Sequence, residues 1–226
     1  WEIEPDQRNA DIIVHDLGLG DSKPVATPGE TESRSEQEDG LEPLESGLAS
    51  KYRALAARAN DLAGDRTDIM YAVKEICRHM ANPTAGAWKK MKRLGRSLKG
   101  SARVAVKYPW QGEEQEIIGY SDSDWAGCGT TGRSTSGGEL MIGSHFIKAW
   151  SRTQNHVTLS SAEAELYAMV KCTAEPIGVK SMMSNWGRAK TGTLYADSTA
   201  ALGIAKRKGA GKLRHININT LWVQHV

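Results

Sequence analysis

The sequence predicts an α/β fold: three antiparallel strands, then a helix, a strand and a second helix in one mixed sheet, preceded by a small helical segment. Apolar residues recur at helical spacing between Leu48 and Leu98. After Tyr108-Pro109-Trp110 the pattern changes to short strand-like runs separated by glycine-rich turns. Beyond Ser160, capping residues announce a helix, a strand and another helix.

Taken in order, Ile12-Ile13-Val14 is a short apolar run followed by the turn-prone Gly18, Gly20, Pro24 and Pro28, which predicts one strand and a loop. From Glu30 to Ser46 acids dominate and large apolar groups are scarce, so this stretch is expected to be a mobile linker. Leu48, Tyr52, Leu55, Ala59 and Leu62 form the stripe of a first helix that Gly64 stops. A second runs from Thr67 as N-cap through Ile69, Val73, Ile76, Cys77 and Met80 to the stop at Asn82-Pro83. Thr84 caps a third, which buries Trp88, Met91, Gly95 and Leu98. Its other face carries Lys89, Lys90, Lys92, Arg93, Arg96 and Lys99. The strands fall at Glu116–Ser121, Glu139–Ile142, Phe146–Trp150 and Thr193–Ala196, and the last helix at Thr199–Lys206. The expected organisation is thus 1–29, an acidic linker 30–47, a helical segment 48–107 and an α/β domain 108–226.

The 226 residues suffice for one or two domains, with 39% hydrophobic and 25% charged residues, as in an ordinary protein with a core. The formal charge of +2 says little about partners, but the clustered bases say more. Lys51, Arg53, Arg58, Arg66, Lys74, Arg78, Arg103 and Lys107 accompany the basic helix face, so a phosphate-tracking surface competes with an ordinary solvated one. Three cysteines without CxxC spacing argue against a disulfide framework or zinc knuckle and for an intracellular, reducing location rather than a secreted one. No apolar run reaches the length of a membrane span. The chain opens at Trp1 rather than Met and reads as a piece of something longer.

Three acids stand where strands end or helices begin. Asp122 closes the first strand, Asp197 the fourth, and Glu165 lies in the first turns of the helix after Ser160-Ser161. If strands one and four are parallel neighbours, their carboxyl ends meet at the crevice where α/β sheets place ligands. Carboxylates without basic partners repel one another, and an oxygen-only set suits Mg2+ or Mn2+. Two such ions about 4 Å apart would activate water and stabilise the leaving oxygen of a phosphodiester. Each acid also has a plain structural role available: a turn for Asp122 or Asp124, a dipole interaction for Glu165, a cap for Asp197. Glu163 fits a capping box with Ser160.

Residues 117–224 resemble the ribonuclease H region of Ty1/copia-type retrotransposon polyproteins. The strings that carry the likeness are Gly-Tyr-Ser-Asp-Ser-Asp-Trp-Ala-Gly-Cys at 119–128, Arg-Ser-Thr-Ser-Gly at 133–137, Ser-Ser-Ala-Glu-Ala-Glu-Leu-Tyr-Ala at 160–168, Asp-Ser-Thr-Ala-Ala at 197–201 and Arg-His-Ile at 214–216. Residues 15–28 and 52–99 resemble the end of the preceding reverse transcriptase, notably Ser-Lys-Pro-Val-Ala-Thr-Pro at 22–28 and Arg-Thr-Asp-Ile-Met-Tyr-Ala-Val at 66–73.

The resemblance implies a ribonuclease H-like sheet and metal-dependent cleavage of the RNA strand of RNA–DNA hybrids. Asp122, Glu165 and Asp197 match three of the family's four metal-binding acids. Asp124, Ser160, Ser161, Ser198 and Thr199, with Lys89, Lys90, Arg93 and Arg96, become candidates for contact with the nucleic acid. The remaining polyprotein, including the polymerase palm, is the implied partner. The fourth acid belongs to a helix beyond a fifth strand, both past Val226, so the expected sheet has its fourth strand at an edge and activity is left open. Asn217 stands where relatives often carry an acid, and Pro176 is expected to kink or end the long helix. The alternative is a non-catalytic remnant that binds nucleic acid through its basic helices. An integrase would present its acids in the order Asp, Asp, Glu, which differs from the order here. No Tyr-Xaa-Asp-Asp occurs, so DNA synthesis is not expected.

Overall fold

The computed structural model describes residues 1–30, 40–209, 211, 215–216 and 218–225, with backbone only at 218 and 219. The chain divides into a helical unit, Glu2–Val106, and a sheet unit comprising Lys107–Val226 with Trp1.

A two-residue strand β1 (Glu2–Ile3) pairs with β2 (Val106–Lys107). Helix α1 (Gln7–Asp16) follows, capped by the Asp6 carboxylate, which accepts from the Arg8 amide. This corrects the strand expected at Ile12-Ile13-Val14. Ala10, Ile13 and Leu17 recur at helical spacing, and that stripe, buried in the core, outweighs the β preference of three branched residues. Helix α2 (Ser46–Leu62) buries the expected Tyr52, Leu55, Ala59 and Leu62. Thr67 opens a 3-10 turn, Thr67–Ile69, instead of capping an α-helix, and α3 (Met70–Cys77) ends before Met80. The Tyr52 hydroxyl donates to the Ile76 carbonyl at 2.7 Å inside this core. Helix α4 (Ala85–Gly100) is capped by Thr84 as expected and buries Met91, Leu94 and Leu98.

Of the stretch expected as a mobile linker, 31–39 lie outside the described residues. Residues 40–46 are held in place. The amides of Ala85 and Gly86 donate to the carbonyls of Glu42 and Gly40 at 2.8 and 3.0 Å, and Leu44 donates to Pro83 at 3.0 Å. These contacts satisfy first-turn amides of α4 that have no partner within the helix.

Many of the bases are tied internally, which local sequence could not show. Arg66 is the extreme case, with its side chain 1% exposed. Its guanidinium forks onto the Asp68 carboxylate with two bonds of 2.7 Å and donates to the Ser101 carbonyl at 2.9 Å. Arg53 donates to the carbonyls of Met80 and Ala81, Arg58 to Asn9, and Arg103 to Glu4. On the basic face of α4, Arg96 donates to the Lys23 carbonyl at 2.8 Å and Lys99 to the Ser22 carbonyl at 2.6 Å. Arg93 pairs with Glu30 at 2.6 Å. The segment from Gly20 to Glu30 is thereby strapped onto the helix.

The sheet unit holds β3 (Glu116–Asp124), β4 (Thr135–Ile142), β5 (His145–Thr153) and β6 (Thr191–Ala196), in the order β5-β4-β3-β6. The first three form the expected antiparallel meander, and β6 runs parallel to β3 at the sheet edge. All four strands extend beyond the runs read from sequence. Between β5 and β6 lies α5 (Ser161–Asn185), and α6 (Thr199–Lys206) follows β6. Among the described residues this is an α/β arrangement around a mixed four-stranded sheet.

Helix α5 continues through Pro176, so of the two outcomes expected there, a kink or an end, the end does not occur. Pro176 is buried against the sheet, where two glycines leave room for its ring. A Cβ added at Gly119 would lie 3.4 Å from the ring and 3.0 Å from the Cys172 sulfur, and one at Gly192 would lie 3.6 Å from it. Leu166 and Met169 of α5 and Ala201 and Ile204 of α6 pack with Ile216, Leu221 and Val223. The last two belong to a 3-10 helix, Ile218–His225, that sequence reading did not foresee. Arg214 and Asn217 lie outside the described residues.

Candidate metal centre

The parallel register of β3 and β6 ends with Ser121 opposite Ala196. The next residue of each chain is an acid, so Asp122 and Asp197 emerge side by side at the carboxyl end of adjacent strands. Glu165 reaches the same point from the second turn of α5, which packs across β3. One carboxylate oxygen from each of Asp122, Glu165 and Asp197 lies within 4.8 Å of the other two. Three residues separated by up to 75 positions in the chain therefore converge.

Their environments differ. Asp122 and Asp197 are exposed, whereas Glu165 is only 8% exposed. One oxygen of Glu165 accepts from the Ser123 amide at 3.1 Å and the Ser123 hydroxyl at 2.8 Å. The other oxygen is buried without a hydrogen-bond partner. Burial pushes the Glu165 carboxyl above its ordinary value, the Ser123 bonds oppose that, and the charges of Asp122 and Asp197 add to it. A buried carboxylate with one orphaned oxygen, grouped with two further carboxylates, fits a hard divalent cation, because such an ion removes both the repulsion and the unmet bonding capacity.

The competing structural roles are filled by neighbours. Ser198, not Asp197, caps α6 by accepting from the Ala201 amide at 3.2 Å. Ser160 caps α5, accepting from the Glu163 amide at 3.3 Å. Glu163 reaches back to the Leu159 amide at 2.8 Å and also meets His215 at 3.3 Å. Asp124 stands outside the acidic cluster and folds over the following turn, so tightly that a Cβ at Gly127 would sit 1.7 Å from its carboxylate. Ser161 and Thr199 are the exposed first residues of their helices. Lys89, Lys90, Arg93 and Arg96 belong to the other unit. Lys89 is exposed, and Arg93 and Arg96 already hold residues 23–30.

Sequence reasoning did not single out Ser123, Ser134, Ser136 or Gln154, which build the shell around the acids. The buried Ser134 hydroxyl accepts from the Ala126 amide at 3.1 Å and meets Thr158 at 3.0 Å, fixing the turn after β3. Gln154 donates to the Ser136 hydroxyl at 2.9 Å and the Ala164 carbonyl at 2.8 Å, tying β4 to the turn of α5 that carries Glu165. Their signal was the run Ser134-Thr135-Ser136, three small polar residues opening a strand, all buried.

No family model matches the chain, and no solved structure gives a significant match. Curated relatives do. It is 28% identical over 207 residues to a retrovirus-related Pol polyprotein from transposon RE2 of Arabidopsis thaliana, covering 90% of this chain and 14% of that protein. It is 29% identical over 163 residues to the Pol polyprotein from transposon TNT 1-94 of Nicotiana tabacum, covering 71% of this chain and 12% of that protein. An uncharacterized mitochondrial protein of Arabidopsis thaliana is 31% identical over 166 residues, 74% of this chain and 67% of its own length. The chain thus spans less than a sixth of the polyproteins it matches.

Proposed function

Because the chain belongs to the Pol polyproteins of Ty1/copia-type retrotransposons, we propose that its sheet unit is a ribonuclease H-like domain that hydrolyses the RNA strand of RNA–DNA hybrids with the help of Mg2+ or Mn2+. The observation that carries this reading is the convergence of Asp122, Glu165 and Asp197 within 4.8 Å, with one Glu165 oxygen left unpaired. The strand order β5-β4-β3-β6, with the meander first and the parallel strand last, supports the fold assignment.

The division of labour follows from burial. Glu165 is the fixed member, held by two bonds from Ser123. Asp122 and Asp197 are open to solvent, so the scissile phosphate has access from their side. Bound divalent ions supply an activated water and charge neutralisation at that phosphate. Ser161 and Thr199, the exposed first residues of their helices, would meet the nucleic-acid backbone in this reading. The reading carries with it an intracellular setting alongside the rest of the polyprotein. A non-catalytic nucleic-acid binder using the basic helices is the second reading, and the internal engagement of Arg53, Arg66, Arg93 and Arg96 weighs against it.

The test is incubation of the chain with a labelled RNA–DNA hybrid and Mg2+ or Mn2+. RNA-strand cleavage that disappears in Asp122→Asn and in Asp197→Asn is expected. A folded wild-type chain that leaves the hybrid intact with either ion refutes the reading.

A further inference from the structure

Three bases of helix α4, Arg93, Arg96 and Lys99, hold residues 20–30 against it. Arg93 is incompletely bonded. Its Nη1 pairs with the Glu30 carboxylate at 2.6 Å, and its Nη2 donates to the Thr27 hydroxyl at 2.9 Å. The remaining nitrogen, Nε, is buried without a hydrogen-bond partner among the described residues. A buried guanidinium nitrogen in that position has unmet bonding capacity, and an anion beside it would gain a charge-assisted bond. Lys89 and Arg96, four residues before Arg93 and three after, share its side of the helix, so the surroundings are basic. Arg96 donates its Nε–H to an uncharged acceptor, the Lys23 carbonyl.

Thr27 is exposed and belongs to no helix or strand. Pro28 follows it and biases its backbone to the extended region, the shape in which a kinase cleft takes an acceptor. Of the seven prolines, Pro28 alone follows a serine or threonine. The hydroxyl with this local chemistry is therefore the same one that already touches a guanidinium with a donor to spare.

We propose that Thr27 is a phosphorylation site, modified by a proline-directed protein kinase with ATP as donor, and that Arg93 receives the phosphoryl group. In the transfer Thr27 Oγ1 forms a bond to the γ-phosphorus while the bond from that phosphorus to the bridging oxygen breaks. ADP leaves, and the hydroxyl proton passes to a base of the kinase. The product carries about −1.5 to −2 charges at pH 7 and three strong acceptor oxygens. Two of these suit the fork of Nη2 and Nε, which satisfies the buried nitrogen. A free phosphate fits less well, because it must first displace the Thr27 hydroxyl from Nη2. Modification thus fastens residues 20–30 to α4, and the proposal stands apart from the nuclease reading.

The test incubates the full chain with a proline-directed kinase and ATP and locates the acceptor by peptide mass spectrometry. Modification of Thr27, absent in Thr27→Val, is expected. Phosphorus NMR then follows the second ionisation of the phosphoryl group, which falls near pH 6 when nothing perturbs it. In the folded wild type its midpoint should lie about one pH unit lower, and Arg93→Gln should return it to about 6. Arg93→Lys, which keeps the charge without the fork, is the second variant and should retain less than about half of the displacement. Circular dichroism checks that each variant is folded. Hydrogen exchange at the Val25 amide, which donates to the Arg96 carbonyl at 3.4 Å, should slow about tenfold on modification of the wild type and not of Arg93→Gln. A folded chain that takes no phosphate at Thr27 overturns the site. A phosphoryl group that titrates alike in wild type and both variants, or that leaves Val25 exchange unchanged or faster, overturns the part given to Arg93. Inorganic phosphate added to the unmodified chain distinguishes the source of the anion. If it slows Val25 exchange as much as modification does, the position takes free phosphate and the proposal fails.

Discussion

Replacing Glu165 by Gln should make the metal-free chain more stable, an unusual direction for a change at a buried residue. Three carboxylate oxygens lie within 4.8 Å. At that separation two like charges repel by about 0.9 kcal/mol in a water-like dielectric and about 3.5 kcal/mol at an effective value of 20. Asp122 and Asp197 are exposed, so the lower figure governs, and relief of two such pairs amounts to about 1–2 kcal/mol. Glutamine keeps an oxygen to accept from Ser123, and its amide can donate where the unpaired oxygen stood. The expected rise in melting temperature without metal is about 2–8 °C. Added Mn2+ should then stabilise the wild type, by about 2.7 kcal/mol at a hundredfold excess over its dissociation constant, and leave the variant almost unmoved. Calorimetry of EDTA-treated protein with and without Mn2+ makes the measurement. A variant that melts below the wild type without metal, or gains as much from Mn2+, refutes the convergence of charge. The pH dependence has a definite sign. Folded Glu165 holds its proton more tightly than an ordinary glutamate at 4.5, so its contribution favours the fold below about that pH and is lost as pH rises through the elevated folded value. That decline should be absent in Glu165→Gln.

Ser123→Ala removes the hydroxyl bond to Glu165 and should cost about 1–2 kcal/mol at neutral pH by denaturant titration. The loss should shrink near pH 4, because the missing bond had favoured the charged carboxylate. Gly127→Ala drives a methyl into the Asp124 carboxylate, the far end of an exposed side chain that can swing aside, and should cost no more than about 0.5 kcal/mol by denaturant titration. Arg66→Lys should be nearly as damaging as Arg66→Ala, at about 3–5 kcal/mol, since an ammonium cannot fork onto Asp68 while reaching Ser101; near-neutral Arg66→Lys by thermal melting would count against the buried fork. Ser198→Ala should cost about 1 kcal/mol and raise hydrogen exchange in α6, because the cap is lost while Asp197 stays in the acidic cluster.

Much of this arrangement was readable in the chain because it rests on local signals. Thr84, Ser160 and Ser198 announce their helices through hydroxyls that cap the first turn, and glycine-rich turns separate the three strands of the meander, whereas the parallel pairing of β6 with β3 is only a condition in the sequence. The three acids could be placed because each adjoins such a signal. What escaped reading depends on partners distant in sequence. Ile13 reads as a strand residue in its local sequence, because its burial comes from elements dozens of positions away. Arg66 looked like one base among many until Ser101 and Asp68 enclosed it. The distinct character of Glu165 comes from Ser123, 42 positions earlier, which no spacing rule connects to it.

The glycine hollow under Cys172 and Pro176 has a consequence for the far end of the same strand. The stretch Ser121-Asp122-Ser123-Asp124 is a two-letter repeat, so a slide of β3 by two residues would set another acid and another hydroxyl in the same places without changing which face they occupy. The acidic end of the strand therefore cannot recognise its own alignment. Discrimination is available about 10 Å away, where a Cβ at position 119 would sit 3.0 Å from the cysteine sulfur, so a slid Ser121 would be crowded there as Gly119 is not. Alignment of the acid triad is thus favoured by a residue with no side chain at all.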